Sequence, residues 1–453
     1  MTILDDVAHW AVSIHDTPIT DDVRHHAKRA IVDWFAAAVP GGGMPPAQIL
    51  TSALVDEAGA GRSVLVPDGR VAPLRSAALI NATAAHSAEV DDIFRDGIYH
   101  PGAPTIAAAL AAAQDLERSG EDLLRAVIIG YELSNRVAAL VQPAHYRYWH
   151  TTGTVGTFGA AAAVATLLRV DAERFVHAIA TSVTMAAGLQ QAFRSDAMSK
   201  PLHAGHAAEA GALAALAAAR GFTGAPDVLE GESGFGAAMS DAPDWQGLFD
   251  DLGSVFTITA TTFKNHTCCG HTFAAIDGAL ELRDDHDIDP DRIDRIEVAT
   301  YGVAIEVTGN ATPRTSFEAQ FSLPYTVAAA FRLGSVRLAA FEQHHLDDPG
   351  LRALVERVEL SVDAELDASF PSQRGARVRV VLTDGSVHET YRPTRRGDPD
   401  LPLTDAHLED KFVELVEPHL GAAATTRLSD ELWGLEDRPN VTGLGRSTLG
   451  AVR

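Results

Sequence analysis

The sequence predicts a mainly α fold in two parts, a large helical domain and a smaller domain that mixes strands with helices. Three observations carry this. Alanine is very abundant while aromatic residues make up only 6% of the chain, a composition suited to helices that pack closely through small side chains. At 453 residues the chain is too long for one ordinary core, so two domains are expected. Near Gly253 the pattern shifts: 257–394 contains alternating, strand-like runs, whereas the chain before it is mostly helical in period. The expected division is 1–256 with 395–453 for the helical domain and 257–394 for the α+β domain.

Taken in order, residues 5–40 read as two helices, the second opened by capping residues at Thr20, Asp21 and Asp22. Val23, Ala27, Ala30, Ile31, Trp34 and Phe35 recur at helical intervals. A helix over 49–58 and a short hairpin around Asp68-Gly69 follow. Helices are expected over 74–85, 105–119, 121–141, 160–168, 171–189 and 206–220. In the second domain the pattern gives a helix over 272–282, a strand over 292–300 and a helix over 321–333. Strands follow at 358–363 and 376–382, the latter turned by Asp384-Gly385 into 386–391. Helices over 403–416 and 422–435 close the chain.

Apolar residues are 46% and charged residues 21% of the sequence, as in a soluble globular enzyme. The net charge is −25, which repels nucleic acid and anionic membranes, so neither is an expected partner. A polyanionic substrate would be repelled too unless a local basic cluster received it. The start, MTILDDVAHW, lacks the basic and apolar regions of a signal peptide. No run of roughly 18 or more residues is convincingly membrane-like. The two cysteines, Cys268 and Cys269, are adjacent, which disfavours a structural disulfide. Without a matching Cys/His pair they make no zinc site. This suits a reducing cytoplasm.

Four polar turns precede the Ala-rich helices: 86–105, 145–159, 190–205 and 264–271. The first places His86, Glu89, Asp91, Asp92, Asp96 and His100 within fifteen residues, broken by Pro101, Gly102 and Pro104. Crowded carboxylates and imidazoles shift one another's pKa, which is how a site for moving protons is made. If the helices pack side by side, the turns meet at one end of a bundle. They would bring His100, His150, Lys200, His203, Lys264 and His266 near Asp91 and Asp92, supplying the basic cluster that an anionic substrate needs. Each element has a structural reading as well. A histidine at a helix start is often a hydrogen-bond donor, Cys269 is a small buried residue in most settings, and Tyr325 lies in an apolar helix where core burial is natural. Asp91 and Asp92 with His86 and His100 also form a rival metal set. Nothing resembles HExxH, an EF-hand loop or a Cys/His zinc pair, however, and no metal or other cofactor is expected.

The blocks HSAEVDD…HPGAPT, IGYELSNRV, HTTGTVGTFGAAAA, SKPLHAGHAAEAGALAALAAARGFTG, VLEGESGFG, FKNHTCCGHTFAAIDGAL, AQFSLPYTVAAAF and TRRGDPDLPLT occur in this order. Together they resemble the MmgE/PrpD family, which includes 2-methylcitrate dehydratase, cis-aconitate decarboxylase and iminodisuccinate epimerase. The resemblance implies a large all-helical domain with a smaller α+β lid domain, a homodimer, no metal or organic cofactor, and an active site between the domains. By position it points to Asp91, Asp92, His100, His150, Lys200, Lys264 and Tyr325 as catalytic residues. Glu89, His203, His266 and Cys269 are expected as substrate-binding neighbours. Citrate- and aconitate-acting members carry Asp and Thr where this chain has Glu89 and Ile93, a difference that bears on the substrate more than on the chemistry.

That chemistry is proton abstraction from carbon next to a carboxylate or imine. Lys200, Lys264 and His150 suit the stabilisation of the charge that develops. Asp91 or Asp92 is a candidate base, and His100 or His150 a candidate acid. The first expectation is a cofactor-free hydro-lyase acting on a small hydroxylated di- or tricarboxylate. The alternatives are an epimerase working through the same carbanion and a cis-aconitate-type decarboxylase. A non-catalytic helical interaction protein would instead point these turns in unrelated directions.

Overall fold

The computed structural model describes residues 2–57, 59–194, 197–370 and 372–446. Its contacts divide the chain into two compact units. One is the chain up to Phe263 together with the chain from Thr404 onwards, and the other is Lys264–Leu403. These limits lie several residues beyond the expected ones, for local reasons. Thr261 and Thr262 pair with Phe94 and Ile93 inside the first unit. Arg395 donates to both carboxylate oxygens of Asp398 and, at 2.8 Å, to the carbonyl of Gly270, which ties 395–398 to the second unit.

The first unit is built from helices α1 (Ile3–Ser13), α2 (Asp21–Gly42), α3 (Pro45–Ala53), α4 (Leu74–Ser87), α5 (Gly102–Asp115), α6 (Gly120–Leu140), α7 (Thr151–Leu168), α8 (Ala172–Val183) and α9 (Ser199–Ala218), with the short α10 (Phe235–Met239). Their starts follow from capping chemistry. The Thr20 hydroxyl accepts from the Val23 N–H, Asp171 accepts from the Arg174 N–H, and Ser119 and Asp122 form a reciprocal box. The strands of this unit are two-residue pairs: β1 (Ser63–Val64) with β2 (Val71–Ala72), the hairpin expected at Asp68-Gly69, and β3 (Ile93–Phe94) with β4 (Thr261–Thr262).

Helices α4, α5, α7 and α9 pack against one another, and glycine makes the approach possible. A Cβ on Gly205 would lie 2.6 Å from the carbonyl oxygen of Leu79 in α4, and one on Gly211 would lie 2.6 Å from that of Thr157 in α7. Two expectations are corrected here. Helix α7 begins at Thr151, not at 160, and α9 at Ser199, not at 206. The Thr/Gly and Ser/Lys/Pro stretches that read as turns are helical because their small residues face neighbouring helices, an energy that outweighs glycine's intrinsic helix penalty of about 1 kcal/mol. Among the described residues, α7 is the helix long and apolar enough to cross a membrane, yet 94% of it is buried, so it is the unit's central core helix. Gly211→Ala is expected to cost about 1–3 kcal/mol through overpacking, seen as a lower urea midpoint at unchanged m value. An unchanged midpoint would mean that α7 and α9 part freely.

The second unit opens with α11 (Phe273–His286). It carries a four-stranded sheet of β5 (Ile293–Thr300), β6 (Val358–Val362), β7 (Ala376–Leu382) and β8 (Val387–Arg392), in the order β6-β5-β7-β8. Pairing is parallel for β5–β6 and antiparallel elsewhere. The chain between β5 and β6 holds α12 (Gly302–Thr308), α13 (Ser316–Gln320), α14 (Leu323–Leu333), α15 (Gln343–Leu346) and α16 (Pro349–Val355), and α17 (Ala364–Ser369) precedes β7. Alternation sets the covered face: Val378 and Val380 of β7 join Ile296 and Val298 of β5 in a core with Ile276, Val327 and Phe331. Back in the first unit, α18 (Asp405–Leu420) packs on α2 and α19 (Ala422–Trp433).

Candidate active site

Three of the four polar turns meet in the first unit. Helix α4 delivers His86 in its last turn, and the chain then reverses through Glu89, which adopts a left-handed backbone with φ of 55°. That conformation costs a non-glycine residue roughly 1–2 kcal/mol and sends Glu89 and Asp91 into the protein, both buried. The His86 ring meets Asp91 Oδ2 through Nδ1 at 2.7 Å, and His100 Nδ1 approaches the same oxygen to 3.3 Å. The His86 and His150 rings stack with centroids 5.4 Å apart. His150, the residue before α7, reaches His203 of α9, Nδ1 to Nδ1, at 3.0 Å. Phe193 sits edge-on to His150, and the Lys200 ammonium lies 5.3 Å above the same phenyl ring. Lys200, buried in the first turn of α9, forms an ion pair with Glu89.

Asp92 faces away from this cluster. Its carboxylate accepts from the Tyr131 hydroxyl at 2.7 Å and from the Gly102 N–H at 2.9 Å, so it fastens the turn to α6 and to the start of α5. A Cβ on Gly102 would fall 2.7 Å from the Tyr131 oxygen and 2.8 Å from Asp92 Oδ1. A side chain there would displace the Tyr131 hydroxyl or the Asp92 carboxylate. On the other side of the turn, the Lys411 ammonium of α18 donates to Asp33 of α2 at 2.5 Å and to the carbonyl of Val90 at 2.9 Å.

His86, Asp91 and His100 bring ligand atoms within 4.8 Å of one another, the reach of a metal site. Two ligands on a metal with bonds of about 2.0–2.1 Å stand ~3.3 Å apart in tetrahedral geometry. The 2.7 Å between His86 and Asp91 is shorter and is the distance of two groups sharing a proton. The trio as arranged suits proton handling better than metal ligation.

The fourth turn belongs to the second unit. Lys264 is buried there, and His266 bonds Asp277 Oδ1 through Nε2 at 2.9 Å, while the other Asp277 oxygen accepts from the Arg396 N–H. The Cys269 N–H donates to the Gln320 carbonyl, and the two cysteines are not joined in a disulfide. Cys268 is fully buried beside Thr272, and burial pushes its thiol up to about 12. The Tyr325 hydroxyl donates to the Ala340 carbonyl at 2.6 Å, and burial raises its pKa above the phenol range. Core packing with a satisfied hydroxyl is what its apolar helix suggests. The expected catalytic and substrate-binding sets do not include His86, Phe193, Tyr131 and Lys411. His86 was visible as a histidine closing an Ala-rich helix beside four acids, whereas the others gave no local signal.

Two family models match this chain in succession: the MmgE/PrpD N-terminal domain over residues 5–248 and the MmgE/PrpD C-terminal domain over 266–435. The chain belongs to the MmgE/PrpD family. The cis-aconitate decarboxylase-like protein oryM of Aspergillus oryzae is 26% identical, across 97% of this chain and 95% of that protein. The human cis-aconitate decarboxylase is 28% identical across 89% of this chain and 86% of its own length, and the mouse enzyme 27% across 87% and 82%.

In this MmgE/PrpD protein burial holds three of the imidazoles, His86, His150 and His203, below their ordinary value. Burial lowers His86 to about 3 against the pull of Asp91. Burial, then His86, His203 and His100, hold His150 well below the ordinary imidazole value. Burial lowers His203 to about 4, with His206 and Lys200 adding to the effect. Burial opposes ionisation of Asp91, but His100 and His86 outweigh it and keep the group well below the usual carboxylate range. Asp92 is the reverse: burial, with Asp33 and Asp91, raises it to about 7 despite the Tyr131 hydrogen bond.

These shifts set a pH dependence of stability. The unfolded chain binds protons on His86, His150 and His203 near pH 6.5, whereas the folded chain does not until far lower pH. Their contribution is therefore full above 6.5 and is lost as pH falls toward 4. His145 and His271 are lowered in the same way. Asp92 and Glu132, both raised to about 7, act oppositely and lose their contribution as pH rises from about 4 to 7. Seven lowered imidazoles, His15 and His419 among them, against two raised carboxyls give a net fall in Tm between pH 6.5 and 4. A flat Tm over that interval would contradict the buried, neutral state of the histidines.

Proposed function

We propose that this protein is a cofactor-free lyase that acts on a small di- or tricarboxylate by moving a proton at carbon next to a carboxylate. The observation that carries the reading is the Asp91 carboxylate joined to His86 and His100, with His150 stacked on His86 and Lys200 alongside. An ionised, water-poor carboxylate orients imidazoles and steadies the cation they form when they take a proton, the role it has in other acid–base sites. On this reading His150 takes the carbon-bound proton and His100, the more exposed of the two, protonates the departing group. Lys200 stabilises the aci-carboxylate charge, and Asp92 fixes the turn. The family resemblance adds Lys264 and Tyr325 to the proposed catalytic set, and Glu89, His203, His266 and Cys269 to the substrate-binding one. Cytoplasmic location and homodimer assembly are part of the same proposal, with no nucleic-acid or membrane partner.

Dehydration is the first expectation from the sequence. The full-length likeness to proteins named as cis-aconitate decarboxylases favours cleavage of a C–C bond as the second reading. One experiment separates them: citrate, 2-methylcitrate, the aconitate isomers, iminodisuccinate and malate-type acids incubated with the protein in D₂O, followed by NMR with trapping of CO₂. A new alkene without CO₂ marks a hydro-lyase, CO₂ marks a decarboxylase, and exchange or inversion without either marks an epimerase. No change in any acid would reject the lyase reading.

A further inference from the structure

We propose that Phe193 is a positioning residue: the face of its ring holds the Lys200 ammonium beside His150 without neutralising it. The proposal rests on the lyase reading and deepens it, since it says what aims the group that stabilises the developing charge. One phenyl ring touches both. Its centroid is 4.7 Å from that of His150, at 86° between the planes, and 5.3 Å from Lys200 Nζ. A cation at that reach is drawn to the negative face of the ring, and an edge-on ring pair is a favoured aromatic contact.

The backbone fixes this ring to the chain that carries His150. Leu189 pairs with Trp149 in an isolated bridge. The His150 N–H donates to the Gly188 carbonyl at 2.9 Å, and the Gln190 N–H donates to the Tyr148 carbonyl at 2.9 Å. The Gln190 side chain adds a bond to the Trp149 carbonyl at 3.1 Å. The 3₁₀ turn Gln190–Arg194 then brings Phe193 back onto His150. Lys200 arrives separately, in the first turn of α9. The ring therefore links His150, at the start of α7, to the start of α9.

The kind of contact matters chemically. An ammonium on a flexible stem has rotamers to lose before it can meet a substrate at one place. Glu89 pairs with it, but a carboxylate holds a lysine by cancelling the charge that the substrate needs. An aromatic face holds it through a quadrupole and leaves the whole charge in place. The other rings against His150, those of His86 and His203, are imidazoles, which take up protons themselves. Phe193 does not titrate, so its hold on Lys200 stays the same while protons move around it. The ring is also apolar and keeps water from that side, so the ammonium acts at a lower dielectric. When a proton leaves carbon and negative charge gathers on the substrate's carboxylate, Lys200 is already aimed.

The test uses the full chain with whichever acid of the screen it converts. Phe193→Leu keeps an apolar side chain but removes the ring face. Its kcat and kcat/KM should fall together, by about fivefold to thirtyfold, because the contact acts through a group engaged in the transition state. Phe193→Tyr should keep most of the wild-type rate. The sharper comparison installs mono-, di- and trifluorinated phenylalanine at position 193, which drains the ring face stepwise at nearly constant shape. The logarithm of kcat should fall with each fluorine while Tm stays level, and the slope should vanish in a Lys200→Met background. A merely structural ring gives a flat series. A flat series, or a slope that persists without Lys200, overturns the proposal and leaves the lyase reading standing. If Phe193→Leu fails to fold, the fluorinated series decides alone. A wild type that converts no acid sinks both.

Discussion

Lys200→Met should lower kcat/KM by about 10²–10³, the cost of removing one group that stabilises developing negative charge. The substitution also has a structural consequence that must be separated from the chemical one. Lys200 and Glu89 are a buried ion pair, and Glu89 sits on a left-handed backbone. Removing one partner of such a pair costs up to about 3–5 kcal/mol, because the other is left with a buried charge. The single variant is therefore less stable as well as slower. Glu89→Gln combined with Lys200→Met removes both charges and should regain most of the stability. It should not regain turnover, since the Lys200 ammonium is still missing from the substrate's developing charge. Equal recovery of stability and rate in the double variant would show that Lys200 only neutralises Glu89 and takes no part in the reaction.

The parts of the fold that were legible from sequence are those whose signal is local. Thr20, Ser119 and Asp171 mark helix starts with side chains that cap in the structure as their chemistry dictates. The alternation in 292–300 and 376–382 places valines and isoleucines on one face of a sheet. Helix starts at Thr151 and Ser199 were not legible, because Gly153, Gly156 and Gly205 carry the signature of turns. Their function is tertiary: a Cβ on Gly156 would stand 2.7 Å from Pro104 Cγ, and one on Gly205 2.2 Å from Thr83 Oγ1. No window of neighbouring residues contains that information.

The same distinction holds for the site. The stretch from His86 to His100 displays its carboxylates and imidazoles openly, and the structure gathers Glu89, Asp91, His100, His150, Lys200 and His203 with it in the first unit. Which acid faces which partner was not legible. Asp91 and Asp92 are adjacent and chemically identical, yet one meets two imidazoles and the other meets Tyr131 and the Gly102 N–H. The chain bends at Asp91, and the two neighbouring carboxylates reach different partners. Only the distant Tyr131 on α6 decides which.

Lys411 extends this argument to a residue that local sequence presents as an ordinary helical lysine. In the structure it is fully buried, pairs with Asp33, and holds the Val90 carbonyl immediately before Asp91. Lys411→Met should lose up to about 3–5 kcal/mol by leaving the Asp33 carboxylate buried without this cation, read as a fall in both Tm and urea midpoint. Asp33→Asn with Lys411→Met should recover much of that stability. Turnover should stay depressed, because the Val90 carbonyl has lost its donor and Asp91 its fixed position relative to His86. A displacement on the scale of 1 Å in such a group costs on the order of 10²-fold in rate. The signature of this positioning role is a reduced kcat at nearly unchanged KM in a protein of near-normal stability. If the double variant regains full kcat, the Val90 contact is incidental, and the turn is anchored by the bonds of Asp92 to Tyr131 and the Gly102 N–H.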